Sequence, residues 1–361
     1  MPPENLNNNR MNATVNVSGR AFELDFAKAL AIVFMVLVHC FETSPIGHSE
    51  AYPIFGTVVE FLGSQPAAAV FMFCMGVGMV YTRHSAPALL ARRGVKLLII
   101  GYGLNLYRAI VEVLGYFIGT SDAGELLGDF ITSLLIVDIL QFAGLAFLFF
   151  ALIKRLDLSD KATGVVVLGL LVLAPYLPRF GEGWYSYLIG DFWYQNEETA
   201  FPLFQWLPFP MAGIYFGKYL KEATDKQRFY GYTAAVGAVL FALSTAIALY
   251  TDRSVQDFFD ENYYNMNLLQ VLWSLGVILL LLALYYFAVG TMRDNALTET
   301  ATFCSKNINQ IYLWQWVLIT PLALLTAVYL PVDTPLLLLV ETALVLFICV
   351  LIARKTSWLR I

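Results

Sequence analysis

The sequence has few charged residues. Asp, Glu, Lys and Arg make up 14% of its 361 residues, whereas hydrophobic residues make up 59%. The mean hydropathy is +0.66. Since about a quarter of the residues in ordinary soluble domains are charged, this composition excludes a soluble globular protein. It indicates a chain with several membrane-spanning segments.

Positive charge, histidine and cysteine are also scarce. The formal net charge is −5, and no basic run with interleaved aromatic residues occurs, so a nucleic-acid partner is not expected. The four cysteines and three histidines show no spacing typical of a disulfide framework or a zinc site, so no metal is expected. Glycine loops of the Walker and dinucleotide-binding types are absent, which argues against ATP hydrolysis and nicotinamide chemistry.

Hydropathy predicts ten apolar segments, and the basic residues predict their orientation. With the amino terminus and every second loop in the cytoplasm, nineteen of the 22 Lys and Arg residues fall on the cytoplasmic side. Cytoplasmic loops are rich in Lys and Arg. We therefore expect an all-α polytopic membrane protein with about ten transmembrane helices and both termini in the cytoplasm. The predicted segments are 24–42, 57–81, 95–118, 130–153, 162–178, 202–220, 229–250, 268–290, 308–330 and 335–353.

The chain is expected to form one transmembrane domain behind a short tail. Residues 1–19 are rich in Asn and lack an apolar core, so they predict a disordered cytoplasmic tail rather than a signal peptide. Residues 20–361 are assigned to the single domain.

The first apolar segment carries ionisable residues that lipid alone would disfavour. Residues 24–41 are long enough to cross a bilayer, yet they include Asp25, Lys28 and His39. Lys28 and His39 are eleven residues apart, which at about 100° per residue places them on nearly the same face of a helix. Glu42, one turn later, could orient the imidazole. This face should meet protein or a water-filled cavity, although simple packing and snorkelling also explain the pattern.

Two further segments contain polar residues at helical spacing. In the third, Asn105, Arg108 and Glu112 share a face, so Arg108 can pair with Glu112. In the fourth, Asp138 and Gln141 are one turn apart. The predicted topology places Arg108 and Asp138 in the same half of the membrane, where they could instead meet between helices.

The spacing of Lys28 and His39 resembles the first helix of the transmembrane acyltransferase superfamily. This superfamily comprises the acyltransferase-3 proteins and the relatives of heparan-α-glucosaminide N-acetyltransferase, which usually have Arg where this chain has Lys28. The run FMFCMGVGMVYTR at 71–83 is similar to the second signature of the family. Weaker similarities occur around Asp138, at 204–220 and at 307–316.

The resemblance implies an acyl-CoA-dependent acyltransferase of the bacterial plasma membrane. It would move an acyl group, acetyl above all, from cytoplasmic acyl-CoA to a hydroxyl or amine of a carbohydrate at the outer face. His39 would act as base or acyl carrier, with Glu42 beside it and His48 in the first outer loop as the second candidate. Family members often carry a His near Gln315, and its absence here argues against a second catalytic His at that position.

The acyl-CoA donor is expected to bind on the cytoplasmic side. Lys28 could attract its phosphates or its pantetheine arm, and the first cytoplasmic loop contains basic residues suited to phosphate, namely Arg83, Arg92 and Arg93. The positive-inside rule alone would also place basic residues in this loop.

The acceptor is expected at the outer face. The outer loops 179–201 and 251–267 combine aromatic residues with acids and Asn, which suits a cell-surface glycan and equally suits the aromatic belt that contacts membrane lipids. A second copy of the chain is a further candidate partner.

Two other functions fit the same residues. Intramembrane ionisable residues also mark proton-coupled solute transporters, in which Asp138, Arg108 and His39 would form a relay. The chain shows no convincing internal repeat, a feature common in transporters. A catalytically silent scaffold or sensor is the third alternative.

Overall fold

The computed structural model of the chain describes residues 21–82, 85–117, 126–181, 183–251, 254, 263–289 and 295–356. The predicted tail at 1–19 lies outside these ranges. The described residues are almost entirely helical, and their β pairing is limited to one parallel bridge between Val137 and Thr199. The prediction of an all-α fold is confirmed.

The helices follow one another with short connections. A π-helical turn at Ser64–Ala69 joins α2 to α3, and short 3₁₀ turns occur at Pro45–His48 and Ala174–Tyr176. The α-helices are α1 (Phe22–Glu42), α2 (Pro53–Gly63), α3 (Val70–Tyr81), α4 (Pro87–Phe117), α5 (Leu126–Leu135), α6 (Ile139–Arg155), α7 (Asp160–Leu173), α8 (Trp184–Gly190), α9 (Leu203–Trp206), α10 (Pro208–Glu222), α11 (Lys226–Tyr250), α12 (Leu268–Val289), α13 (Ala296–Lys306), α14 (Ile308–Val328) and α15 (Pro335–Lys355).

Seven helical stretches in the described ranges are long and apolar enough to cross a membrane. They correspond to α1, α2 with α3, α4, α11, α12, α14 and α15. The other three predicted segments contain shorter helices: 130–153 divides into α5 and α6, 162–178 contains the 14-residue α7, and 202–220 divides into α9 and α10. Ten spans and cytoplasmic termini therefore remain predictions.

Helix α1 occupies the centre of the molecule. It packs against α2, α3, α12, α13, α14 and α15. Its buried side chains include Ala27, Ala31 and Ile32, and small residues such as alanine allow neighbouring helices to approach closely within a membrane. The ionisable residues of α1 therefore lie among protein helices, as predicted, rather than against lipid.

The fourth predicted span is broken at residues 136–138, and side chains satisfy the backbone at the break. The Asn105 side chain donates hydrogen bonds to the carbonyl oxygens of Leu134 and Ile136, at 3.1 and 2.8 Å. The Asp138 carboxylate caps α6 by accepting from the Ile139 N–H at 2.6 Å. Irregular backbone at membrane depth is tolerated only where it is buried in protein or lines a cavity. This break does line a cavity.

Candidate active site

A cavity of about 310 Å³ lies beside the carboxyl-terminal end of α1 and is called here the His39 cavity. Residues 136–139 of the helix break form part of its wall, as do the ends of two loops. Its ionisable and hydrogen-bonding lining includes His39, Glu42, Glu60, Arg108, Asp138 and Tyr312.

Helix α14 holds the His39 ring from one side. The side-chain nitrogen of Gln315, which is 0% exposed, lies 3.0 Å from His39 Nδ1. The Trp316 ring packs on the imidazole with 4.3 Å between ring centroids, and Tyr312 meets it edge-on at 6.3 Å. Because one nitrogen of the ring is engaged by Gln315, the other is left for chemistry in the cavity.

Asp138 connects three elements around the cavity. Its carboxylate pairs with Arg108 of α4 at 3.2 Å and accepts a hydrogen bond from the Tyr312 hydroxyl at 2.8 Å. The Arg108 guanidinium also lies over the Trp316 ring, 4.1 Å from its centroid. A charge pair with additional hydrogen bonds is the form in which ions are stable away from water. The network therefore fixes Tyr312 and Trp316 against His39.

A second cavity, of about 250 Å³, lies at the other end of α1 and is called here the Lys28 cavity. Its wall includes Asp25, Lys28, Cys74 and Tyr81. Lys28 Nζ lies 3.5 Å from an Asp25 carboxylate oxygen, and that carboxylate also accepts from the Ser305 hydroxyl at 2.5 Å.

The polar face predicted along α1 is thus divided into two cavities. Ile32 is fully buried between Lys28 and His39, and Met35 lines the His39 cavity. Lys28 and His39 are separated by roughly 16 Å along the helix axis. Apolar side chains occupy the middle of this face, so its two polar ends line separate cavities.

Of the other two predicted catalytic residues, one lines the His39 cavity and the other does not. Glu42 lines the His39 cavity, but the group found against His39 Nδ1 is Gln315, so the expected contact from Glu42 to the imidazole is not the one observed. His48 is exposed in the Pro45–His48 turn and is not part of the cavity wall.

The residues predicted to bind the acyl-CoA donor do not lie together in one cavity. Lys28 lines a cavity, whereas Arg92 and Arg93 are exposed on α4 and do not line it. The Arg93 guanidinium lies over the Phe147 ring at 4.6 Å. Arg83 lies outside the described residues.

The polar residues of α4 and α6 make different pairs from those suggested by helical spacing. Arg108 pairs with Asp138 across the helices, while Glu112 accepts a hydrogen bond from Ser133. Gln141 is fully buried, and neither its amide nitrogen nor its amide oxygen has a hydrogen-bond partner among the described residues. It does not line the His39 cavity.

Both of the loops that are predicted to lie at the outer face contribute residues to the site. Ala200 and Phe201 from one loop and Tyr263 and Tyr264 from the other line the His39 cavity. Burial raises the pKa of both tyrosine hydroxyls, so they remain protonated. The loops therefore supply apolar surface and hydroxyl groups to the cavity.

Two residues of the site were missed by sequence reasoning. Tyr312 and Trp316 both line the cavity and both contact His39. With Gln315 they occupy positions i, i+3 and i+4 of α14, which lie on one helix face. That spacing was the available signal, but aromatic residues at this spacing are common in transmembrane helices.

The acyltransferase-3 family model, described as an acyltransferase domain, matches residues 22–354. No curated protein matches the chain. The matched region begins with α1 and extends into α15, so it contains both cavities. The chain therefore belongs to the acyltransferase-3 family of membrane acyltransferases.

Proposed function

We propose that the protein transfers an acyl group, acetyl in the simplest case, from cytoplasmic acyl-CoA to a carbohydrate hydroxyl or amine at the outer face of a bacterial plasma membrane. The main observation that supports this proposal is that α1 presents Lys28 to one cavity and His39 to another. Transfer from an acyl donor on one side of the membrane to an acceptor on the other side requires two such binding sites.

The Lys28 cavity is assigned to the donor. At about 250 Å³ it is too small for a whole coenzyme A molecule, so it would receive the pantetheine arm while the nucleotide lies outside. The Lys28 ammonium can bind a phosphate or a carbonyl oxygen of the arm. The acyl end must then pass Ile32 and Met35 to reach His39, which requires these flexible side chains to move.

His39 is assigned the proton transfers. The acceptor hydroxyl or amine attacks the thioester carbonyl carbon, a C–O or C–N bond forms, and the proton of the acceptor passes to the imidazole. The C–S bond then breaks, and the departing sulfur takes the proton from the imidazolium. Alternatively, the imidazole attacks first and carries the acyl group to the acceptor. Both routes use the ring nitrogen that Gln315 leaves open.

The acceptor is assigned to the His39 cavity. The walls of this cavity combine Phe201 with the hydroxyls of Tyr263 and Tyr264, and aromatic faces with polar edges suit a sugar ring. Glu42 is exposed beside His39 and would accept a hydrogen bond from a sugar hydroxyl or amine.

The His39→Ala variant tests the proposal. With radiolabelled acetyl-CoA, purified wild-type protein is expected to become labelled or to transfer or hydrolyse the acetyl group. His39→Ala should bind acyl-CoA as well as wild type and lose this activity by about 10²–10⁴-fold, the usual contribution of an acid–base group. His48→Ala, which changes an exposed ring outside the cavity, is the matched control and should remain active.

Other outcomes would contradict the assignment. Activity in His39→Ala with loss in His48→Ala would move the site to the Pro45–His48 turn. Solute uptake into proteoliposomes, coupled to a proton gradient and without labelling, transfer or hydrolysis, would indicate the transporter alternative, with Asp138 and Arg108 as part of the relay.

A further inference from the structure

Among the described residues, the indole N–H of Trp316 is a buried donor without a hydrogen-bond partner. The side chain is 7% exposed and lines the His39 cavity. The Tyr312 hydroxyl lies near this N–H, but the N–H makes no hydrogen bond of normal geometry within the described part of the chain. Buried polar groups in native proteins almost always have a partner, so each exception needs a physical explanation.

The other buried tryptophans show the usual arrangement. Trp206 donates its indole N–H to the Tyr264 carbonyl oxygen at 3.2 Å, and Trp273 donates to the Thr245 hydroxyl at 3.2 Å. Both side chains are at most 2% exposed. Trp316 therefore differs from them because its indole N–H has no partner among the described residues, and its ring lines the His39 cavity.

The position of Trp316 relates this donor to the reacting atoms. Its ring packs directly on His39, with 4.3 Å between the centroids. A thioester carbon that reacts next to the imidazole must place its carbonyl oxygen within the same cavity. Among the other donors there, Arg108 and Tyr312 both bind Asp138, whereas the Tyr263 hydroxyl has no partner among the described residues.

We propose that the Trp316 indole N–H donates a hydrogen bond to the carbonyl oxygen of the acyl group as this oxygen becomes negatively charged; the inference rests on the proposed function. When the acceptor attacks the carbonyl carbon, the carbonyl π electrons move to the oxygen and form an oxyanion. The oxyanion collapses as the C–S bond breaks and the sulfur leaves. A donor aimed at the oxyanion lowers the barrier because it is already oriented and shielded from water.

Ring packing also fixes the direction of the indole. The Arg108 guanidinium lies over the Trp316 ring, 4.1 Å from its centroid, and Arg108 is in turn fixed by Asp138 at 3.2 Å. The donor therefore needs no reorganisation when charge develops. Tyr263, whose hydroxyl is also buried without a partner among the described residues, lies in the same cavity. The wall of the His39 cavity therefore contains two buried donors without a partner among the described residues.

An isostere that lacks the N–H tests the assignment. We expect Trp316→3-benzothienylalanine to keep the ring shape and the stacking while removing the donor. The probe reaction is acetyl transfer from acetyl-CoA to hydroxylamine, with the uncatalysed rate subtracted. The variant should lose about 10²–10³-fold in kcat, as other oxyanion donors do, with KM for acetyl-CoA nearly unchanged because the hydrogen bond strengthens only in the transition state.

The same isostere at Trp273 is the matched control. In this control variant residue 273 loses its hydrogen bond to Thr245, which lies outside the His39 cavity. The rate of acetyl transfer should therefore stay at the wild-type value. Thermal melting confirms that both variants are folded. A folded Trp316 variant with wild-type kcat, or with a change in KM alone, would overturn the oxyanion role and leave the proposed function intact. A wild-type protein without catalysed transfer would overturn both.

Discussion

The Gln315 amide lies 3.0 Å from His39 Nδ1, although the two residues are 276 positions apart in the chain. A partner on Nδ1 determines which ring nitrogen carries the proton and which can act as a base. Nitrogen and oxygen of an amide exchange places when the group rotates by half a turn. The useful arrangement for catalysis is Nδ1–H donating to the Gln315 oxygen, because Nε2 then has its lone pair free.

We predict that Gln315→Glu remains active and that Gln315→Met does not retain full activity. A carboxylate can accept from Nδ1–H and stabilise the imidazolium, so the acid limb of the pH–rate profile should move to higher pH. Methionine has a similar volume and cannot make this hydrogen bond, so kcat should fall by roughly 10–100-fold, as for other residues that orient a functional His. Measuring kcat against pH for both variants checks this. Full activity in Gln315→Met, or an unmoved acid limb in Gln315→Glu, would show that Gln315 does not set the tautomer of His39.

Lys28→Met is predicted to raise KM for acyl-CoA more than it lowers kcat. Lys28 lines the cavity that we assign to the donor, and the loss of one charge-assisted hydrogen bond, worth about 1.5–3 kcal/mol, should raise KM on the order of tenfold or more. Binding shared by ground and transition states appears in KM rather than in kcat.

Lys218→Met is the matched control for the donor site. Lys218 pairs with Asp160 and is 43% exposed outside the cavity, so its variant should keep the wild-type KM. Thermal melting is compared as well, because Lys28→Met leaves the buried Asp25 carboxylate without its ion pair. An unchanged KM in folded Lys28→Met would remove the donor from this cavity.

Gly76→Ala is predicted to destabilise the packing of α3 on α10. A methyl group at Gly76 would lie 1.9 Å from the Pro210 carbonyl oxygen, whereas nothing lies within 4 Å of the corresponding point at Gly78. Since overpacking typically costs about 1–3 kcal/mol, the melting temperature of Gly76→Ala should fall clearly below that of Gly78→Ala. Equal melting temperatures for the two variants would mean that the helices are farther apart than described.

The orientation of α11 is predicted to place Ser254 outside and Thr224 inside. Both residues are exposed and flank the helix Lys226–Tyr250. The natural cysteines are all buried, and a cysteine-free background removes their residual labelling. In sealed cells an impermeant thiol reagent should label Ser254→Cys at once and Thr224→Cys only after permeabilisation. The reverse pattern would invert the topology and exchange the assigned sides of the two cavities.

The sequence by itself determined the class of the protein and the residues at the two ends of its central helix. Low charge and long apolar segments leave no alternative to a membrane-embedded helical fold, because unpaired backbone groups are not tolerated in lipid. The eleven-residue spacing of Lys28 and His39 places both residues on the same face of a helix by helix geometry alone. These features depend on one helix at a time, so they can be read from the order of the residues.

The tertiary structure decided how the face of α1 is used. Ile32 divides it into two cavities only because α1 is surrounded by other helices. The break at residues 136–138 depends on Asn105, which satisfies its carbonyl groups from a different helix, so no hydropathy average reveals it. Gln315 and Trp316 reach His39 because α14 packs on α1. Contacts between residues so distant in the chain depend on which helices are neighbours, and that is set by the packing of the whole bundle.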